Sequence, residues 1–463
     1  MALSFRSHLA RTLVLGLPLV GAQVAQILIN TTDTVMLGWL GTEELAAGVL
    51  AFQLYFVLLI VGIGFAAAVV PIVATAIGEG DETRARRGAR MGLWVLLGVS
   101  LLFMVPLHFT RDILVALGQD AELAAMAARY MVIAQWSLPF ALLVQGLRSF
   151  LTALEDGVGV FLVTLTTLVV NALLDWALIF GKWGFPRLEL EGAAWATLLS
   201  NAAAFALVVL YIRFKPEPAR FAIFTRLWKP DTPMLRETLL LGWPIAFALL
   251  AEAGLFAISS LMLGWIGTVE LAAHGIALQL ASIAFMVPLG LSMAATVRVG
   301  NAYGRYDDVD LGRAGRAGFV WAGVSALVTA SLFLVAPEPL IRLFLDDNRD
   351  AAAIIAVGVP LLAVAGLFQL TDALQVMGAG VLRGMKDTAV PMVIAVAAYW
   401  VLGVPTAYLL GFVLDYGPVG VWSGLVVGLT VAAIALYVRF RIKERLVERD
   451  TRHVLSKGAA SSI

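Results

Sequence analysis

Residues 36–47 read MLGWLGTEELAA, and residues 262–273 read MLGWIGTVELAA. Ten of these twelve positions are identical, at an offset of 226 residues. Repeats of this kind are typical of duplicated membrane proteins, in which each copy folds as a related helical unit. The same offset pairs other identical residues: Pro18 with Pro244, Gln53 with Gln279, Gly64 with Gly290, Gly78 with Gly304, Arg87 with Arg313 and Arg90 with Arg316. The sequence therefore predicts two homologous halves.

The composition places both halves in a membrane. Hydrophobic residues make up 61% of the chain and charged residues only 14%, against roughly 25% charged residues in soluble chains. Apolar runs of about 20 residues recur along the whole length, which is typical of a polytopic helical protein. Breaks at charged residues, glycine and proline predict twelve spans, near 13–37, 45–77, 88–110, 122–148, 158–181, 190–213, 237–263, 271–303, 314–336, 352–381, 388–412 and 419–440.

Several function classes are disfavoured by the residues that are absent. The chain has no cysteine and four scattered histidines, which excludes disulfides, thiolate metal sites and a histidine-rich metal cluster. Its net charge is zero, so we expect no nucleic-acid partner. No nucleophile and base are spaced for catalysis within the spans, and we expect a protein that is not an enzyme and has no organic cofactor.

Twelve spans give six helices to each half, and an even number gives both copies the same orientation. We therefore predict an all-α polytopic membrane protein with two homologous six-helix lobes, related by a pseudo-two-fold axis along the membrane normal. The predicted boundaries are residues 1–215 for the N-lobe, 216–236 for a cytoplasmic linker, 237–445 for the C-lobe and 446–463 for a cytoplasmic tail.

The distribution of lysine and arginine predicts the orientation. Twenty-five of these residues fall on the side of the N-terminus, Arg148 among them, and five fall on the opposite side. Because basic loops stay in the cytoplasm, both termini are predicted to be cytoplasmic.

Four acids interrupt the apolar spans, namely Asp33, Asp175, Glu252 and Asp372. Acids at such depth are costly and usually mark a functional site. A rise of about 1.5 Å per residue places Asp33, Asp175 and Thr197 roughly 8–9 Å below the outer surface. Asn171 lies one turn from Asp175 on the same helical face. We expect Asp33, Asn171, Asp175 and Thr197 to converge, as oxygen ligands for Na⁺ or as carboxylates that share a proton.

The second half carries its acids deeper. The same arithmetic places Glu252 and Asp372 roughly 18 Å from their own surfaces, near the midplane. Three neighbouring residues make the surroundings of Asp372 polar: Gln369, Thr371 and Gln375. The repeat maps Glu252 onto Gln26 and Asp33 onto Ser259. Each half thus has an acid where the other has a neutral residue, and Glu252 and Asp372 form a second candidate site for Na⁺ or a proton.

No basic side chain is evident at the depth of these acids, so we expect protons or metal cations to neutralise them. Aromatic side chains of the spans are candidates for a pocket that takes flat organic cations through cation–π contacts. The candidate pocket-lining residues are Gln26, Gln53, Gln279, Phe285, Phe368 and Gln369.

The sequence resembles the multidrug and toxic compound extrusion (MATE) transporters, in their bacterial NorM-like branch. The resemblance spans essentially the whole chain. It is carried by DTVMLG at 33–38, by the stretch 242–304 that contains VRVGNAYG, and by QLTDALQVMGAGVLRGMKDT from residue 369 with the AYWVLGVP that follows it. The family implies twelve helices in two lobes around a central cleft.

The resemblance also implies a function and its residues. Asp33 matches the first-helix aspartate of the family, accompanied by Asn171, Asp175 and Thr197 in a cation site. Glu252 and Asp372 match the acids of the second lobe, with Phe285 as an aromatic position near them. The family exports cationic and amphipathic organic compounds in exchange for inward Na⁺ or H⁺. A multi-pass, monomeric protein of the bacterial inner membrane, in contact with lipid, is the expected form.

Three other classes remain as alternatives. A flippase or an exporter of a lipid-linked or other endogenous metabolite could use the same duplicated bundle, but it favours a basic cavity that holds phosphate. An intramembrane enzyme would need a catalytic pair that the spans do not show. An ion channel is disfavoured by the two-lobed repeat.

Overall fold

The computed structural model describes residues 4–345 and 350–460. The outermost residues of the predicted N-lobe and tail, 1–3 and 461–463, and residues 346–349 of the predicted C-lobe lie outside the described residues. In chain order the helices are α1 (Phe5–Gly38), α2 (Thr42–Gly78), α3 (Glu82–His108), α4 (Thr110–Ala116), α5 (Ala121–Ala134), α6 (Ser137–Ala153), α7 (Gly157–Phe180), α8 (Glu189–Phe214), α9 (Pro216–Ala219), α10 (Thr232–Ile266), α11 (Thr268–Gly304), α12 (Asp308–Val335), α13 (Pro337–Arg342), α14 (Ala351–Gly384), α15 (Ala389–Val396), α16 (Val404–Tyr408) and α17 (Gly417–Ala460). Two π-helical segments, Ala397–Gly403 and Leu409–Val413, flank α16.

The number of spans agrees with the prediction from the sequence. Among the described residues, eleven helices are long and apolar enough to cross a membrane, and the bent pair α5 and α6 makes a twelfth span. Every regular element in the described ranges is a helix. The predicted all-α polytopic fold with twelve spans is therefore confirmed.

The bend between α5 and α6 has a local cause. The two helices meet at 53°, with the break at Gln135 and Trp136. Pro139 lies four residues after Gln135, and its ring would clash with the Gln135 carbonyl oxygen in a straight helix. That carbonyl instead accepts from the Leu138 N–H at 3.2 Å, in a tighter turn. Pro139 thus divides the span that the sequence predicts at 122–148.

The chain forms two compact units. The N-unit is Gly21–Ala246, and the C-unit combines Met1–Val20 with Phe247–Ile463. These units differ from the predicted lobe ranges in two segments. The first part of α1 packs in the C-unit, and the first part of α10 packs in the N-unit.

Homologous glycines allow these two exchanged segments to pack closely. Within the C-unit, a Cβ on Gly290 would collide with the backbone of Val20. Within the N-unit, a Cβ on Gly64 would collide with the backbone of Ala246. At the repeat offset of 226, Gly64 corresponds to Gly290, and Val20 corresponds to Ala246. The exchange is therefore a property of the duplicated fold, built on a glycine that admits a neighbouring backbone.

Each unit has a core beside its buried acids. In the N-unit, Leu138 and Leu142 of α6 pack with Tyr55 of α2, whose hydroxyl lies 2.9 Å from Ser137 Oγ. In the C-unit, Phe368 of α14 makes edge contacts with Phe256 and Trp422. These cores position the helices that carry the polar residues described next.

Candidate functional site

The N-unit brings together the polar residues that a count of residues from the span ends places at similar depths in the membrane. Asp33 of α1 lies against Asp175 and Asn171 of α7, close enough for the three side chains to interact. Asp175 is fully buried and Asn171 is 1% exposed, while Asp33 is half-buried. Thr197 of α8 lies beside them and interacts with Tyr130 of α5. We call Asp33, Asn171, Asp175 and Thr197 the N-unit site.

The oxygen atoms of the N-unit site are short of hydrogen-bond donors. Among the described residues, Asp33 Oδ1, Asn171 Oδ1 and both oxygens of Asp175 have no hydrogen-bond partner. Thr197 Oγ1 donates to the Ala193 carbonyl oxygen at 2.9 Å, which leaves its lone pairs for another partner. Buried acceptors that face one another without a donor are unfavourable. The arrangement fits a small hard cation, which oxygen ligands bind, or a proton shared between the carboxyl groups.

A cavity of about 170 Å³ opens beside the N-unit site and lies entirely within that unit. At one end it is lined by Asp33, Asn171, Thr197 and Tyr130. Aromatic side chains of α2 form part of its wall: Phe52, Tyr55 and Phe56. Tyr130 is not predicted from the sequence as a site residue. Its place six residues before Trp136, in a span with few polar residues, is the signal that marks it as a candidate.

A buried arginine lines the same cavity, and here the expectation from the sequence is wrong. Arg148 is only 7% exposed, and its Nη1 donates to Gln26 Oε1 at 3.0 Å and Gln145 Oε1 at 2.9 Å. The sequence predicts no basic side chain at the depth of the acids. Arg148 is the last residue of a predicted span, and it is counted among the basic residues on the side of the N-terminus. The i, i+3 spacing from Gln145 to Arg148 was the available signal.

The arginine and the N-unit site occupy different heights along α1. Gln26 holds Arg148, and Asp33 lies seven residues later on the same helix, which is about 10 Å at 1.5 Å per residue. One cavity therefore has a fixed positive group near Gln26 and negative groups near Asp33. Gln26 lines it as predicted, whereas Gln53 is exposed on α2 and is not among the lining residues.

The C-unit brings its two acids together in different surroundings. Glu252 of α10 and Asp372 of α14 interact electrostatically, and Asp372 is 2% exposed. Tyr399, in the π-helical segment before α16, interacts with both acids. Among the described residues, Asp372 Oδ1, Gln375 Oε1 and the Tyr399 hydroxyl have no hydrogen-bond partner. We call Glu252, Asp372, Gln375 and Tyr399 the C-unit site.

A basic residue also faces the C-unit site. Arg383, at the end of α14, interacts electrostatically with Glu252. The predicted spans 352–381 and 388–412 leave Arg383 in the loop between them. The neighbouring Trp400 fixes α10, because its Nε1 donates to the Ala251 carbonyl oxygen at 3.1 Å and its ring packs on Gly254.

The other residues predicted for the C-unit differ in their burial and in their contacts. Gln369 is buried, and its Nε2 donates to the Ala281 carbonyl oxygen at 2.7 Å, so it joins α14 to α11. Phe368 is buried in the aromatic core. Phe285 is half-buried on α11, and Gln279 is exposed on the same helix. Like Arg383, Tyr399 is not predicted from the sequence as a site residue, although it lies within the AYWVLGVP motif.

Comparisons with known proteins identify the family of the chain. The sequence model of the MatE family matches residues 18–177 and 244–409. The chain is 49% identical over 438 residues, 94% of each chain, to the "Probable multidrug resistance protein NorM" of Rhizobium meliloti (strain 1021). It is 47% identical over 451 residues, 97% of this chain and 96% of the relative, to the protein of the same name from Agrobacterium fabrum (strain C58 / ATCC 33970).

Solved structures show the same fold. The crystal structure of MATE in the straight conformation matches with a TM-score of 0.87 and 21% identity, over 96% of this chain and 97% of that one. The eukaryotic MATE transporter AtDTX14 matches with a TM-score of 0.84 and 21% identity, over 96% and 99%. The resemblance inferred from the sequence motifs is confirmed, and the chain belongs to the MatE family of membrane transporters.

Proposed function

We propose that this protein exports cationic and amphipathic organic compounds across the bacterial inner membrane, in exchange for inward Na⁺ or H⁺. The observation that carries the proposal is the pair of buried acid clusters, each with carboxylate oxygens that lack a donor among the described residues. The relatives named multidrug resistance proteins, at up to 49% identity, support a role in drug export. The charge distribution of the loops supports cytoplasmic termini.

The N-unit site is proposed to take the coupling ion. Two carboxylates, an amide oxygen and a hydroxyl form the kind of oxygen set that binds a hard cation. A proton held between Asp33 and Asp175 would relieve the same repulsion. Either ion neutralises the site and removes the negative charge that attracts a cationic compound to the cavity beside it. Ion entry and substrate release are thereby coupled, which is the basis of antiport.

The C-unit site is proposed to contribute to binding of the organic substrate. Glu252 and Asp372 supply negative charge, and Arg383 partly balances that charge. Two aromatic side chains of this unit, Phe256 on α10 and Phe285 on α11, offer faces for an organic cation. The protein is proposed to act as a monomer, without an organic cofactor and without catalysing a covalent reaction.

The alternative, export of a lipid-linked or phosphate-bearing metabolite, is less well supported. Such a compound would require several basic groups around its phosphates. Among the described residues that line the N-unit cavity, Arg148 is the one basic side chain. Its neighbours Asp33, Asn171 and Thr197 favour cations.

Transport in proteoliposomes tests the proposal. A fluorescent organic cation is loaded, and a Na⁺ gradient and a pH gradient are imposed separately. At least one inward gradient should drive export against the compound's own gradient. If neither gradient does so, while the protein releases the compound only down its concentration gradient, the exchange mechanism is wrong.

A further inference from the structure

A second, strongly basic pocket lies in the N-unit, away from the acid sites. It has a volume of about 840 Å³ and is formed by the beginning of α3 and the segment between α9 and α10. Its lining includes five basic side chains and one acid: Arg86, Arg87, Arg90, Arg226, Lys229 and Asp231. We call these residues the basic pocket. A concave surface that is lined mainly by positive charge attracts anions.

The helical spacing of α3 directs its basic residues into one stripe. Arg86, Arg90 and Trp94 are four residues apart and therefore lie one above another on the same face. Arg90 Nη1 donates to the Arg226 carbonyl oxygen at 3.2 Å, and Trp94 Nε1 donates to the Leu227 carbonyl oxygen at 2.7 Å. These bonds hold the segment at Arg226 and Leu227 against α3, so the pocket has defined walls.

Most basic residues of the pocket form no close ion pair. Arg87 is paired with Asp231. Among the described residues, Arg86, Arg90, Arg226 and Lys229 are within ion-pair distance of no acid. Arg90 is 7% exposed, and its Nε has no hydrogen-bond partner in the described chain. The Asp231 carboxylate attracts Arg90 from beyond ion-pair distance, and a buried guanidinium group without a close ion pair is stabilised when an anion reaches it.

Basic residues just outside the pocket are paired, in contrast. Arg84 lies 2.6 Å from Glu79 and 3.6 Å from Glu237. Arg220 lies 3.5 Å from Glu82. The acids of this region thus neutralise the surroundings and leave the pocket itself positive.

The repeat provides an internal comparison. Arg87 and Arg90 correspond to Arg313 and Arg316 of the C-unit at the offset of 226. There a pocket of about 550 Å³ contains the two arginines together with three acids, Asp308, Glu444 and Glu448. Arg316 Nη2 lies 3.3 Å from Glu444 Oε1. The C-unit thus places a carboxylate within ion-pair distance of the homologous arginine, whereas in the N-unit Asp231 pairs with Arg87 and acts on Arg90 only from a longer distance.

We propose that the basic pocket binds the phosphate headgroup of an anionic phospholipid. Guanidinium groups bind phosphate oxygens through paired N–H donors. The pocket lies at the end of a membrane span, where basic pockets bind lipid headgroups. Trp94 is half-exposed beside it and Trp228 is exposed, and tryptophans of this kind lie at the headgroup level of a membrane. Four unpaired cations match a headgroup with two phosphates, as in cardiolipin.

Lipid titration of the purified protein tests the site. Native mass spectrometry measures retention of cardiolipin, phosphatidylglycerol and phosphatidylethanolamine, with inorganic phosphate as a competitor. Wild type should retain cardiolipin most strongly and phosphatidylethanolamine least. Arg90→Gln should weaken cardiolipin binding about tenfold, because each basic group near a surface contributes on the order of a fivefold to tenfold gain. Arg316→Gln, the repeat counterpart, should leave it unchanged.

A second variant keeps the test decisive if Arg90→Gln does not fold. Arg86→Gln combined with Lys229→Gln removes two charges from the lining and should weaken cardiolipin binding by the product of two such factors, on the order of 25-fold to 100-fold. Arg90→Lys should retain part of the binding. Equal retention of all three lipids, or equal losses in Arg90→Gln and Arg316→Gln, would overturn the proposal. Displacement of cardiolipin by millimolar inorganic phosphate would instead identify a site for free anions.

Discussion

The N-unit site and the C-unit site lie on homologous helices, yet they place their acids differently. On α1 the acid is Asp33 and the position seven residues earlier is Gln26. On α10 the corresponding positions are Ser259 and the acid Glu252. The N-unit site has four oxygens without a donor among the described residues, and Arg148 lies about two helical turns away. The C-unit site has Arg383 and Tyr399 within interaction range.

This difference supports the proposal that the two duplicated units have different roles. A site of unpaired oxygens gains most from a small ion, because the ion replaces hydrogen bonds that the protein does not supply. A site in which an arginine balances part of the charge attracts a small ion less strongly, but it can still orient a larger organic cation. Because the acid lies at different positions in the two copies, the copies are not equivalent. The four predictions that follow test this account, from the largest expected effect to the smallest.

Neutralising the N-unit site should have the largest effect. Asp33→Asn removes a charged ligand, which costs about 3 kcal/mol, or on the order of 100-fold in ion affinity. Gradient-driven export in proteoliposomes should fall by a similar factor. Ser259→Ala changes the repeat counterpart of Asp33 and is the matched control. If both variants transport alike, the N-unit site is not where coupling occurs.

The C-unit site should respond in substrate affinity rather than in ion affinity. Glu252→Gln removes one of two acids near an organic cation, and we expect a dissociation constant about tenfold weaker for a fluorescent cationic drug, a loss near 1.4 kcal/mol. Ion binding should stay within twofold of wild type. Glu270→Gln, at the start of α11, serves as a control outside the site. A loss of ion binding with unchanged drug binding would reverse the assignment of the two sites.

Arg148 should oppose cations in the N-unit cavity. Its charge lies about 10 Å from Asp33, and at an effective dielectric constant near 20 this repulsion of a bound cation amounts to roughly 1–2 kcal/mol. Arg148→Gln should therefore strengthen ion binding several-fold, measured as a lower half-saturating Na⁺ or H⁺ concentration for transport. Arg213→Gln, at the exposed end of α8, should have no effect. Weaker ion binding in Arg148→Gln would show that the arginine instead supports the shape of the site.

The smallest effect concerns the exchanged segment of α10 and depends on pH. Asp231 precedes this segment and accepts a hydrogen bond from Arg87, which lowers the pKa of the Asp231 carboxyl group. The pair therefore stabilises the fold above the ordinary aspartate pKa of about 3.9, and the contribution is lost as the pH falls through the lowered value. Asp231→Asn should cost about 1 kcal/mol at neutral pH.

Thermal unfolding in detergent at pH 7 and at pH 3 measures this effect. The difference between wild type and Asp231→Asn should be present at pH 7 and should shrink at pH 3. Glu82→Gln, which loses an exposed pair with Arg220, should change stability by a few tenths of a kcal/mol at most. A difference that grows on acidification would contradict the proposed role of the pair.

Much of the fold and of the acid sites follows from patterns that the sequence shows directly. The repeat at 36–47 and 262–273 predicts two related halves, and apolar runs predict the spans. Because a helix rises by a fixed length per residue, counting from the span ends brings Asp33, Asp175 and Thr197 to one height, with Asn171 one turn away. The structure places these four residues together.

The remaining features depend on tertiary packing, which local patterns do not specify. From the sequence, Arg148 is assigned to the cytoplasmic end of a span. A count of basic residues does not show that Gln26 and Gln145 bind its side chain within the unit. Tyr399 reaches the acids from a π-helical segment, whose shifted register is not evident from periodicity. The exchange of the first parts of α1 and α10 rests on backbone contacts at Gly64 and Gly290, which no side-chain pattern reveals.

Direct ion binding to the purified protein tests the central claim, that the N-unit site holds the coupling ion. The measurement is Na⁺ binding by radiolabel, together with the protons released in weakly buffered solution. It compares wild type with Asp33→Asn/Asp175→Asn and with Glu252→Gln/Asp372→Asn. The account predicts that the first double variant loses both signals and that the second keeps them within twofold. Loss of the signals in the second variant, with both retained in the first, would contradict it.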